Sequence, residues 1–137
     1  MGPTYDILLK NASYLTPDME LASGDIAMSG GRIAALLPAN SGVPADRVLT
    51  GNGLLWMPGL VDGHTHTSQQ LLRGRLLDEK PVIWKRVNVP FECRLDEESS
   101  RLSAQLAALE MIHSGTTGFI DAGGKYADVF AQVYEAS

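Results

Sequence analysis

The sequence predicts an α/β protein. Its first third reads as short strands separated by Gly, Pro and Asn turns. Two later segments carry apolar residues at helical spacing. A short apolar strand precedes each of those segments, so the order from residue 57 onward is β, α, β, α. That order implies parallel strands joined by crossover helices. The change of character at Met57-Pro58-Gly59 divides the chain into a β layer, residues 1–56, and a βα portion, residues 57–137.

The elements follow in order. Tyr5 to Lys10 is an apolar strand bounded by Asn11, and Ala12 to Leu15 is a second one stopped by Thr16-Pro17-Asp18. Gly24–Ser29 and Arg32–Leu37 flank Gly30-Gly31, a two-residue hairpin signal because both glycines accept the positive φ that such turns require. Pro38 to Pro44 is a loop, Arg47-Val48-Leu49 a strand, and Gly51-Asn52-Gly53 a turn. Leu60 and Val61 begin a strand that runs into Asp62-Gly63-His64-Thr65-His66, and residues 67–94 read as irregular with short helical stretches. Asp96 is a good N-cap for a helix through about His113, with Glu97 and Glu98 in its first turn. Leu102, Leu106, Leu109 and Ile112 give that helix one apolar stripe, and Gly115 suits its C-terminal end. Gly118–Asp121 reads as a short buried strand, Gly123-Gly124 as its loop, and Tyr126–Glu135 as a second helix with Val129, Phe130, Val133 and Tyr134 on one side.

Composition removes several classes of function. Hydrophobic residues make up 45% and charged residues 20%, which fits a packed domain and not a disordered chain. Eleven Lys and Arg against sixteen Asp and Glu leave a net charge of −5, the wrong sign for nucleic-acid binding. The densest basic patch, Arg73, Arg75, Lys80, Lys85 and Arg86, reads as a loop and helix surface first and an anion site second. A single cysteine, Cys93, excludes an internal disulfide and a cysteine-based zinc site; a small buried side chain is its expected role. No apolar run approaches a membrane span, and the N-terminus shows no secretory signal, so a cytoplasmic location with no membrane partner is expected.

The chemistry concentrates in Pro58-Gly59-Leu60-Val61-Asp62-Gly63-His64-Thr65-His66. Alternate residues of a strand share a face, so His64 and His66 present two imidazoles about 7 Å apart along the backbone. Two neutral imidazoles suit a zinc ion. Asp62 lies on the same face, where a carboxylate orients a ligand histidine. A bare His-x-His is common by chance. Its place at the end of an apolar strand in a βα unit adds weight, because α/β barrels put their active sites at such ends.

These residues, with Leu71-Leu72-Arg73-Gly74, Trp84, Pro90-Phe91-Glu92 and Glu110-Met111-Ile112-His113-Ser114-Gly115-Thr116-Thr117-Gly118-Phe119-Ile120-Asp121, resemble the N-terminal part of the amidohydrolase superfamily of metal-dependent hydrolases. The branch most resembled holds S-adenosylhomocysteine and methylthioadenosine deaminases, triazine chlorohydrolases and guanine-type deaminases. The resemblance implies a (β/α)8 TIM-type barrel, here its incomplete N-terminal part, preceded by a small β-sandwich subdomain built from both chain ends. It implies that His64 and His66 are metal ligands. Gln69 matches a glutamine near the substrate ring, Trp84 a tryptophan near the pocket, and Glu92 a carboxylate that binds ribose hydroxyls. Asp121 ends the second strand near the site, where a supporting role and a simple strand-terminal turn both remain open. His113 ends a helix at the opposite side of the strands and reads as a favourable C-terminal charge.

The implied activity is hydrolysis of a C–N bond, deaminating a purine-like heterocycle or nucleoside, with a triazine-type ring as a neighbouring possibility. The implied cofactor is a divalent metal, zinc first, with Fe2+ or Mn2+ also compatible with imidazole ligands. The partner is a small heterocyclic molecule, with a homo-oligomer or a complementing polypeptide possible. A whole barrel takes about 250 residues. The chain therefore reads as the N-terminal third of an enzyme, with the remaining ligands and the general acid/base expected downstream and no activity by itself. The competing reading is a non-catalytic fragment or an interaction module that completes a partner polypeptide.

Overall fold

The computed structural model describes residues 4–76 and 80–137. Residues 77–79, inside the stretch expected to be irregular, lie outside the described residues. Two compact units form, Met1–Pro58 and Gly59–Ser137.

The first unit is a mixed sheet. Its strands are β1 (Tyr5–Leu15), β2 (Leu21–Ser29), β3 (Arg32–Leu37), β4 (Ala45–Thr50) and β5 (Leu55–Trp56), in the order β3-β2-β1-β4 with β5 also on β1. β2 pairs antiparallel with β1 and β3, whereas β4 and β5 run parallel to β1. The Gly30-Gly31 turn has φ of 58° and 71°, as the hairpin signal predicts. Leu9, Ala12 and Ile26 form the core, with Tyr14, Met28, Leu49 and Trp56 against it.

One expectation fails here. Asn11 does not end a strand: β1 continues through it as a bulge, with register lost between Leu9 and Ala12 and φ of 53° at Asn11. The bulge is held by Asp25, which is fully buried. Its Oδ1 accepts the amides of Asn11 at 2.9 Å and Asn40 at 3.3 Å, and its Oδ2 accepts the amide and hydroxyl of Ser41, each at 2.8 Å. Burial alone raises a carboxyl pKa, but these four donors outweigh it and hold Asp25 below its ordinary value. Gly24 is needed beside it, because a Cβ there would sit 2.3 Å from the Leu37 carbonyl oxygen.

The second unit contains two parallel strands, β6 (Leu60–Thr65) and β7 (Thr116–Asp121), joined through a 3-10 turn (Thr67–Leu72), a π-helical turn (Trp84–Asn88), and helices α1 (Val89–Glu92) and α2 (Glu97–Ser114). Helix α3 (Ala127–Glu135) follows β7. Asp96 caps α2 as expected, in a reciprocal capping box with Ser99, and Gly115 ends the helix with φ of 77°. His113 lies in the last turn of α2, at the strand-start end of the β6–β7 pair and away from His64 and His66. Val129, Phe130 and Val133 of α3 are buried, with Phe130 and Val133 packed against Ala104.

The apolar stripe of α2 is not its buried side. Leu102, Leu109 and Ile112 are 55%, 51% and 62% exposed, while Ser100, Ser103, Ala104, Ala107 and Ala108 are buried. Small side chains meet both neighbours of this side: Ala104 packs on α3 and the Ser103 hydroxyl donates to Thr67 of the 3-10 turn. β7 is likewise not a buried strand, with Ile120 63% exposed. Cys93 is exposed, contrary to expectation, because α1 ends at Glu92 and the chain turns outward before Leu95 is buried.

Candidate active site

His64 and His66 converge. Their Nε2 atoms are 3.1 Å apart, with ring centroids 4.9 Å apart and ring planes at 78°. Strand alternation accounts for only part of this. The β6–β7 register breaks between Asp62 and Thr65, β6 stops at Thr65, and His66 leaves the strand at φ −127°, ψ 85° to open the 3-10 turn. Two nitrogens on one tetrahedral zinc, each about 2.0–2.1 Å from it, sit roughly 3.3 Å apart. The pair therefore fits two corners of such a site. No group of three or more His, Cys, Asp or Glu with metal-binding geometry occurs among the described residues.

The segment after His66 is fixed from several sides. Thr67 is fully buried. Its hydroxyl donates to Asp121 Oδ2, and its amide donates to the same oxygen at 3.3 Å. Its carbonyl accepts the Ser103 hydroxyl at 2.7 Å. Asp121 Oδ1 accepts the Gly123 amide at 2.8 Å, and the Ala122 amide donates to the Thr65 carbonyl at 2.9 Å. Thus Asp121 makes both a strand-terminal turn and a tie to the histidine segment. The Tyr134 hydroxyl is buried behind this knot without an aligned hydrogen-bond partner among the described residues. Burial raises its pKa; the nearby Thr67 hydroxyl opposes the rise and the Asp121 charge adds to it.

A second polar chain lies beside the first. Glu92 Oε1 accepts the Ser68 hydroxyl at 2.7 Å and the side-chain Nε2 of Gln69 at 2.8 Å, and Gln69 Oε1 accepts the side-chain Nδ2 of Asn88 at 2.8 Å. The structure therefore brings Gln69 and Glu92 together and engages both ends of the Gln69 amide with protein. Trp84 stands apart, 59% exposed on the π-helical turn, with the Lys85 ammonium 5.7 Å from its ring centre. Asp62 accepts the His64 backbone amide at 3.0 Å and faces a polar groove with Gln70, Arg73 and Glu110; its bond is to backbone and not to an imidazole. Arg73, from the basic patch, pairs with Glu110 at 2.8 Å across exposed surface.

Sequence reasoning missed Thr67, Ser68, Asn88 and Ser103. The polar run Thr67-Ser68-Gln69-Gln70 directly after His66 was a usable signal. Nothing in the sequence marked Asn88 or Ser103, whose partners are 19 and 36 residues distant.

Parallel βα units with a histidine pair at the end of their first strand define a class of α/β proteins with strand-end sites. The comparisons with known proteins narrow it. The amidohydrolase family profile matches residues 55–137, and the chain belongs to that family. It is 38% identical over 136 residues to a 5'-deoxyadenosine deaminase of Methanosarcina acetivorans, covering 96% of this chain and 31% of that protein. It is 37% identical over 123 residues to a 5-methylthioadenosine/S-adenosylhomocysteine deaminase of Pelotomaculum thermopropionicum, covering 85% and 28%. Among solved structures, a zinc-bound adenosine deaminase of Xanthomonas campestris superposes with a TM-score of 0.86 at 28% identity, over 98% of this chain and 33% of that one. A triazine hydrolase from Arthrobacter aurescens shares the fold, with a TM-score of 0.81 at 19% identity, over 95% and 33%. The chain spans about a third of the length of the relatives it matches.

Proposed function

We propose that this chain is the N-terminal portion of a zinc-dependent aminohydrolase that releases ammonia from an adenosine-like nucleoside. On this reading its second unit is the start of a (β/α)8 barrel and its first unit part of a β-sandwich subdomain. The observation that carries the reading is the His64–His66 pair, with facing Nε2 atoms at the end of β6, inside the segment matched by the amidohydrolase family. The names of the relatives supply the substrate class.

His64 and His66 would hold the metal through Nε2. A divalent ion there supplies an acidified water for hydrolysis near neutral pH. The chain's own residues do the rest of what this portion contributes. Ser68 and Gln69 hold Glu92 by one carboxylate oxygen, leaving the other to accept from a substrate hydroxyl or amine. Asn88 keeps the Gln69 amide turned toward Glu92. Trp84 stands apart from these groups, and its exposed ring would stack only on a part of the substrate remote from the histidine pair.

The test is ammonia release by the full-length protein from adenosine, 5'-deoxyadenosine and methylthioadenosine, before and after metal removal. Turnover lost on chelation and restored by zinc is expected. A zinc-loaded protein that releases ammonia from none of the three would overturn the reading.

A further inference from the structure

We propose that Asp121 and Ser103 are positioning residues for His66, acting through Thr67. The inference rests on the metal reading above and deepens it. All three hydrogen-bonding groups of Thr67 are taken, and by two different elements. The amide and hydroxyl go to Asp121 at the end of β7, and the carbonyl goes to Ser103 on α2. Thr67 is fully buried, so water does not compete for these groups.

His66 is the residue joined to that locked peptide, and it sits where the backbone leaves the strand. Left untied, a half-buried bend of this kind has several accessible conformations, and only some bring the two Nε2 atoms to 3.1 Å. Fixing Thr67 removes most of that freedom. The Asp121 carboxylate is itself oriented by the Gly123 amide on its other oxygen, so the anchor does not swing. Neither Asp121 nor Ser103 bonds to an imidazole. Their effect passes through the backbone, and it raises metal affinity by paying the ordering entropy of His66 before the ion arrives.

The experiment is zinc affinity of the full-length protein, measured by competition with a chromophoric chelator, together with melting of the metal-free form. Thr67→Val keeps shape and loses the hydroxyl; zinc affinity is expected to fall about tenfold, the usual scale for groups supporting a metal ligand. Thr67→Ser restores the hydroxyl and should bind within about twofold of wild type, on the same scale. Ser103→Ala should weaken binding in the same direction by less, with a changed visible spectrum of the cobalt-substituted protein. If Thr67→Val does not fold, Ser103→Ala decides the matter. Wild-type zinc affinity in the variants, or a Thr67→Ser that falls as far as Thr67→Val, overturns the proposal. A wild-type protein that binds no zinc instead overturns the metal reading on which it rests.

Discussion

In the strand unit, Asp25 takes four donors from a bulge and a loop, and every one of them closes the sheet on itself. In the βα unit, Asp121 takes three donors, two of them from the residue after His66. The two carboxylates do the same chemistry, satisfying backbone amides that would otherwise be left unpaired. What separates them is whose backbone they hold. Asp25 ties a bulge and a loop of the sheet, whereas Asp121 ties the segment that follows His66, the tie to which we assign a positioning role. Polar residues in the two units should therefore fail differently when removed.

The largest effect expected is on activity. On the proposed function, His64→Ala with His66→Ala should lower ammonia release by roughly 10³-fold or more, since the acidified water would go with the metal, while far-ultraviolet dichroism stays that of wild type. Comparable turnover in the double variant would erase the distinction between the units. Asp25→Ala should do the reverse. Leaving the partly buried amides of Asn11, Asn40 and Ser41 without their acceptor costs about 1–3 kcal/mol, read by urea unfolding, with turnover per folded molecule unchanged.

Acid sharpens the same contrast. The Asp25 pKa is lowered on folding, so its contribution is fully present above the unfolded value of about 3.9 and is lost as pH falls through the lower folded value. Wild-type stability should decline below about pH 4, and Asp25→Asn should flatten that decline. An unchanged slope in the variant would sink the assignment. Smaller again is packing on α2. Ala104→Leu forces α3 away from a fully buried contact and should cost about 1–2 kcal/mol. The smallest effect is at the start of α2, where Asp96→Ala removes the cap that accepts from Ser99; a slight fall in the melting temperature is the expected reading.

Local features were legible because their causes are local. The Gly30-Gly31 hairpin, the Asp96 cap, the Gly115 terminus and the parallel order of β6 and β7 each follow from a few neighbouring residues. The histidine pair was legible as a motif. Its 3.1 Å closure was not, because strand rise alone separates such a pair by about 7 Å along the backbone and says nothing of how the rings turn. The apolar stripe of α2 was legible as a pattern, but the opposite, small-residue side that is buried was not, because periodicity does not report which neighbours a helix has. Here the neighbours pack on alanine and serine, and Leu102, Leu109 and Ile112 remain exposed.

Residue chemistry over short spans thus carried the resemblance to the family, the place of the histidine pair at a strand end and the ends of α2. Tertiary structure decided which face of α2 is inside, that Gln69 is held by Asn88 and Glu92, and that Asp121 reaches back to the segment carrying His66. The division has a physical cause. Turns, caps and strand alternation are set by sterics and hydrogen bonds within a few residues, whereas convergence of side chains distant in sequence depends on how the elements pack, which no local pattern records.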